Sequence, residues 1–301
     1  MTLTIDNLAR AFSEAGYVTG EDDQILITVY LALKLGKPLL VTGVPGVGKT
    51  EIAKVLSKAF NAELIRLQCY EGLDEHKALY EWNYQRQLLR IQMMKDQQDV
   101  GEKDLFSTDY LLARPLLRAI QNTEPTVLLI DEIDKTDEEF EAFLFEVLSD
   151  FQVSIPELGT LSAKQTPMVI LTSNGDRELS DGLKRRCVFL YVDLPSIEKE
   201  YRIIRAKVPE AGEKLSRQVA QALAILRSNV ELSKLPSISE TLDWIRALVT
   251  LESERLTPEV VDHTLNLLLK SKEDLDSFQV GLGSRCLVDQ VLTAEHKNSG
   301  R

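Results

Sequence analysis

One glycine-rich segment constrains this chain more than any other feature. Residues 43–50 read GVPGVGKT and match the pattern G-x-x-x-x-G-K-S/T. An apolar run, Leu39–Thr42, precedes the segment, and a helical pattern from Lys49 to Phe60 follows it. Glycines let the backbone curl so that its N–H groups point at one anion, and the helix start adds positive charge. The segment therefore predicts a phosphate-binding loop between a strand and a helix.

The residues of this loop have separate expected roles. Lys49 is expected to reach the β- and γ-phosphates of a nucleotide, and the Thr50 hydroxyl to ligate Mg²⁺. The nucleotide-binding set that we predict around them is Gly43, Val44, Pro45, Gly46, Val47, Gly48, Lys49, Thr50 and Glu51. The alternative, a chance glycine turn, does not account for the flanking strand and helix.

A second pattern places two acids at the end of an apolar run. Val127–Ile130 is followed directly by Asp131 and Glu132, and ligands bind at the carboxyl ends of strands in open α/β sheets. Asp131 is expected to hold Mg²⁺, directly or through water, and Glu132 to act as general base on the attacking water. The alternative is a strand that simply ends in solvated acids. The presence of the phosphate-binding loop about 80 residues earlier disfavours this alternative.

Two further segments are candidates for the same site. The apolar run from Met168 to Thr172 leads to Asn174, which is expected to reach the γ-phosphate or orient the water; the alternative is an ordinary turn residue before Gly175. Arg185 and Arg186 precede another apolar run, and an arginine delivered across a subunit boundary stabilises transition-state charge. The alternative for these two is a solvated helix end whose cations complement the helix dipole.

The order of patterns predicts the fold class. Apolar strand patterns alternate with helical patterns up to Pro195, which indicates an α/β domain with a mostly parallel sheet sandwiched by helices. Beyond Pro195 only helical periodicity remains. We therefore expect a nucleotide-binding α/β domain over residues 1–195 and a small all-α domain over residues 196–301. Trp82 and Tyr84 alternate with polar residues, which predicts a short strand within a polar insertion.

Composition limits the partners. The formal net charge is −12, which disfavours broad binding to nucleic acid or to anionic membranes. No apolar run approaches the roughly 20 residues of a spanning helix, and the start, MTLTIDNLAR, lacks a signal-peptide pattern. Three scattered cysteines, expected to be packed thiols, favour a reducing compartment, so a cytoplasmic location is expected. No cysteine or histidine spacing suggests zinc.

Together the motifs resemble one family. A phosphate loop, a strand ending in DE, a strand ending in Asn and an RRC segment before a helical lid are similar to the AAA+ ATPases. The stretches LIRLQCYEGLD at 64–74, EWNY at 81–84, IPELGT at 155–160 and SETLDW at 239–244 resemble the MoxR branch and its CoxD-like subfamily in particular. The likeness covers about residues 15–250.

The resemblance implies a fold and a set of residue roles. It implies a P-loop AAA+ core with a helical lid, an insertion at about residues 76–112 and a hairpin at about 152–166. ATP would bind between subunits of a ring, usually a hexamer, with Asn174 as the γ-phosphate sensor. Arg186 would be the finger that reaches the neighbour's nucleotide, with Arg185 as the alternative. Tyr17 and Val18 would line the adenine pocket.

The resemblance also implies partners. MoxR-type proteins work as chaperone-like ATPases, commonly with a von Willebrand factor A domain protein. CoxD-like members are associated with metalloenzyme maturation, namely assembly of the metal centre of carbon monoxide dehydrogenase-type molybdenum enzymes. One departure concerns the lid, where the branch often carries an arginine in an S-P-R pattern. Here the stretch reads Ser239, Glu240, Thr241, so the usual lid contact with the γ-phosphate is not expected from it.

Two other function classes share these motifs. A nucleic-acid motor or clamp loader has the same core, but it needs a basic groove that the charge balance disfavours. A non-catalytic scaffold binds ATP only to hold a ring together; the intact Asp131–Glu132 pair argues against it, and the missing lid arginine argues for it. ATP turnover and salt-dependent DNA binding separate the three classes.

Overall fold

The structure, a computed structural model, describes residues 2–20, 23–93, 105–156 and 158–299. The middle of the predicted insertion, residues 94–104, and one residue of the predicted hairpin, Glu157, lie outside the described residues. The chain divides into two compact units. The first comprises Met1–Ala11, Asp23–Gly43 and Lys49–Tyr191, and the second comprises Phe12–Asp22, Val44–Gly48 and Val192–Arg301.

The first unit is built on a five-stranded parallel sheet. Its strands are β1 (Leu39–Thr42), β2 (Glu63–Gln68), β5 (Thr126–Asp131), β8 (Met168–Ser173) and β9 (Val188–Tyr191), in the spatial order β2-β5-β8-β1-β9. All six residues of β5 are buried, as the apolar run predicts for a strand covered on both faces. Because every pairing is parallel, the carboxyl ends of all five strands lie at one edge.

Helices and two small hairpins complete this unit. The hairpins pair β3 (Tyr80–Trp82) with β4 (Leu111–Ala113) and β6 (Gln152–Ile155) with β7 (Gly159–Ser162), both antiparallel. The helices are α1 (Ile5–Glu14), α2 (Gln24–Leu35), α3 (Lys49–Phe60), α4 (Glu75–Ala78), α5 (Tyr84–Met93), α6 (Pro115–Gln121), α7 (Glu138–Asp150) and α8 (Asp181–Arg186). The core cluster joins sheet residues such as Leu128 and Leu171 to helix residues such as Leu117 and Leu144.

One local prediction in the insertion is wrong. Trp82 lies in β3, where it is buried and packs edge-on against Phe106 with ring centroids 5.3 Å apart. The strand ends there, and Tyr84 begins helix α5 with an exposed side chain. The polar alternation therefore does not continue through Tyr84, because Asn83 accepts a hydrogen bond at its Oδ1 from the backbone N–H of Arg86 and so caps the helix start.

The second unit is helical. Its main elements are α9 (Ile197–Lys207), α10 (Glu213–Asn229), α11 (Ile238–Thr250), α12 (Pro258–Thr264), α13 (Lys272–Gly281) and α14 (Gly283–Ser299). Trp244 is fully buried at its centre, and its indole N–H donates to Thr264 Oγ1 at 2.8 Å, which satisfies the ring's one donor. A mostly parallel sheet with flanking helices, followed by C-terminal helices, confirms the predicted fold class.

Candidate nucleotide site

The loop between β1 and α3 has the backbone that the glycine pattern predicts. Gly46 and Gly48 have φ angles of +79° and +93°, a region that other L-residues avoid because of Cβ crowding. Val44, Pro45 and Val47 occupy the intervening positions, and Thr50 and Glu51 follow in the first turn of α3. The loop thus leads into the positive end of a twelve-residue helix.

Lys49 is the buried cation of the site. Its Nζ donates to the carbonyl oxygen of Gly43 at 2.6 Å and to Asn174 Oδ1 at 2.8 Å, and only 7% of the residue is exposed. Burial lowers the pKa of Lys49, and the nearby charges of Asp134, Asp131, Glu132 and Asp176 oppose that shift. The first and third sequence motifs, which are 125 residues apart, therefore meet at this ammonium group.

Asp131 lies at the carboxyl end of β5 and accepts hydrogen bonds on both oxygens. Its Oδ1 accepts from Thr50 Oγ1 at 3.2 Å and from Thr172 Oγ1 at 2.5 Å. Its Oδ2 accepts from the Nε of Arg66 at 3.0 Å and also from Nη2. The structure therefore joins Thr50 of the phosphate loop to the acid pair, as magnesium ligation between them requires.

Glu132 follows in an unusual backbone conformation. Its φ of 58° is in the left-handed region, and its backbone N–H donates to Thr172 Oγ1 at 2.9 Å. Its Oε2 accepts from Gln68 Nε2 at 3.0 Å. Non-glycine residues take this conformation only where the surroundings hold it. Thr172, which bonds both acids, is the group that does so here.

Asp134 orders the chain after β8. Its Oδ2 accepts from the backbone N–H groups of Asn174 and Asp176, both at 3.0 Å. Its Oδ1 is buried without a hydrogen-bond partner among the described residues. These bonds hold the backbone of Asn174, whose side chain contacts Lys49, so Asp134 supports the site.

Four site residues escaped the sequence analysis: Arg66, Gln68, Thr172 and Asp134. Arg66 and Gln68 are both exposed positions of β2, two residues apart, and a strand places such residues on one face. Their contact with the acids depends on β2 pairing with β5, which leaves Gln68 opposite Asp131. The alternation of polar and apolar residues within ELIRLQ indicates that Arg66 and Gln68 share one face of β2. It does not indicate which strand pairs with β2.

Other predicted residues lie apart from this cluster. Arg186 ends the short helix α8, where its guanidinium lies 3.7 Å from the ring centre of Phe145 and also bonds Ser149. Arg185 is exposed on the same helix. Glu51 forms an ion pair with Lys54 at 2.6 Å. Among the described residues, none of these side chains is recorded in contact with Lys49, Asp131 or Glu132.

The second unit contains the rest of the predicted nucleotide contacts. A Cβ on Gly48 would lie 3.8 Å from the Tyr17 ring, which packs edge-on against Phe12 at 5.2 Å; Val18 is half-buried. At the lid position without arginine, Ser239 Oγ donates to the carbonyl oxygen of Gly46 at 3.3 Å. Arg246 instead pairs with Asp243 at 3.3 Å.

The oxygen atoms of Thr50 and Asp131 fit a magnesium ion that takes its remaining ligands from a nucleotide and from water. Within the described ranges, no group of three or more His, Cys, Asp or Glu side chains forms a metal cage. Thr50 and Asp131 supply two oxygens 3.2 Å apart, and Mg²⁺ usually takes one or two protein oxygens, phosphate oxygens and water.

Among the described helices, none has the length and the apolar character of a membrane span.

Comparison with known proteins gives one family match and several relatives. Residues 38–187 match the family described as AAA domain (dynein-related subfamily). An uncharacterized protein of Staphylococcus aureus is 28% identical over 225 residues, covering 72% of this chain and 77% of that protein. The uncharacterized protein YojN of Bacillus subtilis is 26% identical over 242 residues, covering 78% and 72%.

Two further similarities are to proteins of named activity. The chaperone protein ClpB of Bacillus cereus is 30% identical over 146 residues, which is 47% of this chain and 14% of ClpB. The Thermotoga maritima RuvB Holliday junction branch migration motor superposes with a TM-score of 0.50 at 16% identity, covering 92% of this chain and 74% of that one. The chain therefore contains an AAA domain at residues 38–187 and has the P-loop fold of the AAA+ ATPases.

Proposed function

We propose that this chain is a MoxR-type ATPase that hydrolyses ATP with Mg²⁺ in an oligomeric ring and uses the energy to remodel a partner protein. The observation that carries the proposal is the meeting of Lys49, Thr50, Asp131, Glu132 and Asn174 at one edge of the sheet. Phosphoryl transfer needs little beyond positioned charges of this kind.

Each side chain has a defined task in this proposal. Lys49 Nζ, now bonded to Asn174 and Gly43, would bind the β- and γ-phosphate oxygens. Thr50 and Asp131 would hold Mg²⁺, which supplies charge neutralisation of the phosphates when bound. Asn174 would sense the γ-phosphate from its place beside Lys49. The nucleotide would also contact the loop residues 43–48 and Glu51, and Tyr17 and Val18 would contact its adenine.

Glu132 would accept the proton of the attacking water. Its Oε2 already has a donor in Gln68, whereas its Oε1 has no hydrogen bond recorded within the described residues. The rigid left-handed backbone holds the carboxylate at the strand end, beyond Asp131. A general base contributes about 10² to 10⁴ to the rate, so removal of its basicity should leave binding intact and slow turnover strongly.

The ring assembly is supported by the position of Arg186. In this proposal Arg186 completes the site of a neighbouring subunit, with Arg185 as the alternative, as the family resemblance implies. Arg186 is exposed and stacks on Phe145 rather than joining the Lys49 cluster of its own chain. An exposed guanidinium is the kind of group that serves as an arginine finger.

The client is proposed from resemblance. A von Willebrand factor A domain partner and a molybdenum metalloenzyme client follow from the MoxR and CoxD-like motifs, and the similarity to a chaperone protein supports remodelling of proteins in general. The superposition on a Holliday junction motor concerns the fold, and the net charge of −12 argues against a nucleic-acid track. A cytoplasmic location is part of this proposal.

The test is ATP turnover by the purified chain over a range of protein concentrations, with and without Mg²⁺. Turnover per subunit should rise with protein concentration because the neighbour's arginine completes the site. Glu132→Gln should bind ATP and turn over at least about 10²-fold more slowly. The matched control is Glu139→Gln, an exposed acid in the first turn of α7, which should retain normal turnover.

Three outcomes would contradict the proposal. Wild-type ATP affinity in Lys49→Ala would refute the phosphate-loop assignment, since that variant lacks the only cation shown at the loop's described residues. Tight ATP binding with no turnover at any concentration would favour the non-catalytic scaffold. Salt-dependent DNA binding that stimulates turnover would favour the nucleic-acid motor.

A further inference from the structure

Arg66 brings a full positive charge into direct contact with Asp131. It lies in β2, opposite Leu129 of β5, and its guanidinium donates to Asp131 Oδ2 from both Nε, at 3.0 Å, and Nη2. The two partners differ in exposure: 54% of the Arg66 side chain is exposed and only 5% of the Asp131 side chain. A half-exposed cation thus neutralises a buried anion.

This pairing fills the acceptor capacity of Asp131. An ionised carboxylate has about four lone-pair sites. Thr50 and Thr172 occupy those of Oδ1, and the two Arg66 donors occupy those of Oδ2. A magnesium ion held at Thr50, or the water molecules around it, would need lone pairs of the same carboxylate. The threonines are neutral, so Arg66 is the group whose displacement frees charge as well as space.

We propose that Arg66 competes with the divalent cation for Asp131 and thereby sets the Mg²⁺ concentration at which the site loads. Arg66 is a positioning residue in this scheme: it bonds Asp131 Oδ2 in this structure and would withdraw to solvent when the cation binds. The inference rests on the proposed function, because it presumes that a nucleotide brings Mg²⁺ to Thr50 and Asp131.

The local structure allows Arg66 to leave without disturbing the sheet. The backbone of Arg66 is held by the β2–β5 ladder, so only the side chain has to rotate. Its Nη2 also contacts Gln68 Oε1, a partner on the same exposed face. Discounted for the exposure of the Arg66 side chain, we take this pair to be worth about 1 kcal/mol, which corresponds to a factor of about five. Competition of that size would raise the Mg²⁺ concentration needed to occupy the site without preventing Mg²⁺ from binding.

The experiment compares Arg66→Gln with the wild-type chain by the fluorescence of a labelled ATP analogue titrated with Mg²⁺. The matched control is Arg118→Gln. Arg118 is 56% exposed and pairs with Glu63, at the opposite end of β2, at 2.8 Å. Its replacement therefore removes the same charge from an arginine of similar exposure, away from Asp131. Affinity for the analogue in EDTA is measured alongside, and thermal unfolding verifies that each variant is folded.

We expect the half-saturating Mg²⁺ concentration of Arg66→Gln to fall about three- to fivefold, with that of Arg118→Gln unchanged and with no gain in affinity in EDTA. An unchanged or raised half-saturating concentration in Arg66→Gln, or equal shifts in both variants, would overturn the inference. If Arg66→Gln does not fold, Arg66→Lys retains the charge without the guanidinium fork. That variant should lower the concentration about twofold, and no change would overturn the inference equally.

The proposed function is judged separately in the same titration. Failure of the wild-type chain to bind the analogue at any Mg²⁺ concentration would refute the nucleotide site itself. Normal wild-type binding with Mg²⁺ dependence, combined with an Arg66→Gln curve that superposes on it, would leave the nucleotide site standing and remove only the role of Arg66.

Discussion

Replacement of Gly46 by alanine should destabilise this protein more than replacement of Gly36, another glycine with a left-handed backbone. A Cβ on Gly46 would lie 2.1 Å from Ser237 Oγ and 3.1 Å from Ser237 Cβ, and atoms that are not bonded do not approach to 2.1 Å. The φ of +79° adds backbone strain for any residue with a side chain. Both terms oppose the same substitution.

The magnitude follows from the two terms. A left-handed alanine costs about 1–2 kcal/mol, and overpacking of a filled space costs about 1–3 kcal/mol, so the loss is about 2–5 kcal/mol. Ser237 cannot move aside freely, because it is 2% exposed and its backbone N–H donates to Glu240 Oε2 at 3.0 Å in a capping box. The steric term should therefore be largely retained.

The assay is urea unfolding followed by circular dichroism, with two reference variants. Gly36→Ala has a similar φ of +62° but nothing within 4 Å of its Cβ, so it should lose only about 1–2 kcal/mol. The double variant Gly46→Ala with Ser237→Gly removes the clashing side chain. It should recover most of the steric term, since exchange of a capping serine for glycine costs only a few tenths of a kcal/mol.

The reasoning would be refuted by either of two results. Gly46→Ala and Gly36→Ala of equal stability would mean that no steric term exists. A double variant no more stable than Gly46→Ala alone would mean that Ser237 is not the obstacle. Weaker ATP binding by Gly46→Ala is also expected, because the loop backbone carries the predicted phosphate contacts.

Three further predictions concern charge and thiols. Glu200→Gln should lose about 3 kcal/mol in urea unfolding, because it leaves the nearly buried Arg227 without its carboxylate partner at 2.6 Å. Iodoacetamide at pH 8 should label Cys286, which is exposed, far faster than Cys69 and Cys187, since burial raises the pKa of both those thiols to about 12. ATP affinity should decline as pH rises toward the lowered pKa of Lys49, sooner than for a lysine of ordinary pKa, 10.5.

Each of these has a control and a contrary result. Glu198→Gln, which removes an exposed partner 3.8 Å from Arg217, should change stability by only a few tenths of a kcal/mol; a Glu200→Gln variant as mild would contradict the buried pair. Mass spectrometry that finds Cys69 labelled at the rate of Cys286 would contradict burial.

The lowered pKa of Lys49 means that its protonated form is less favourable in the folded protein than in the unfolded chain. The free energy of unfolding should therefore increase as the pH rises from the lowered pKa to the ordinary value. An affinity that stays flat to pH 10.5 would contradict the shift.

Much of the fold was predictable because its signals are local. The buried strands are continuous apolar runs bounded by glycine, proline or acids, and the helices between them carry their own periodicity. The loop from Gly43 to Thr50 needs only its own glycines and its neighbouring strand and helix. It was also predictable that the carboxyl ends of β5 and β8 lie at the same edge of the sheet, because the two strands run parallel. The catalytic roles of Asp131 and Asn174 remain predictions.

The misses have different physical causes, some local and some dependent on partners distant in the chain. Cys286 was expected to be a packed thiol, but the helix α14 turns it to solvent. Tyr84 was expected on a strand, but a side-chain cap from Asn83 begins a helix there. Asp134 was given no role, yet its Oδ2 accepts hydrogen bonds from two backbone N–H groups in the segment after β8.

The sequence by itself determined that this chain has a phosphate-binding loop, an acid-ended strand and an α/β sheet, because each depends on residue types within a short window. Only the tertiary structure decided what surrounds the acids. The strand order β2-β5-β8 brings Arg66, Gln68 and Thr172 to Asp131 and Glu132 across 65, 64 and 40 residues of chain. Hydrogen bonds between such positions depend on strand neighbours, and no local pattern encodes which strands become neighbours.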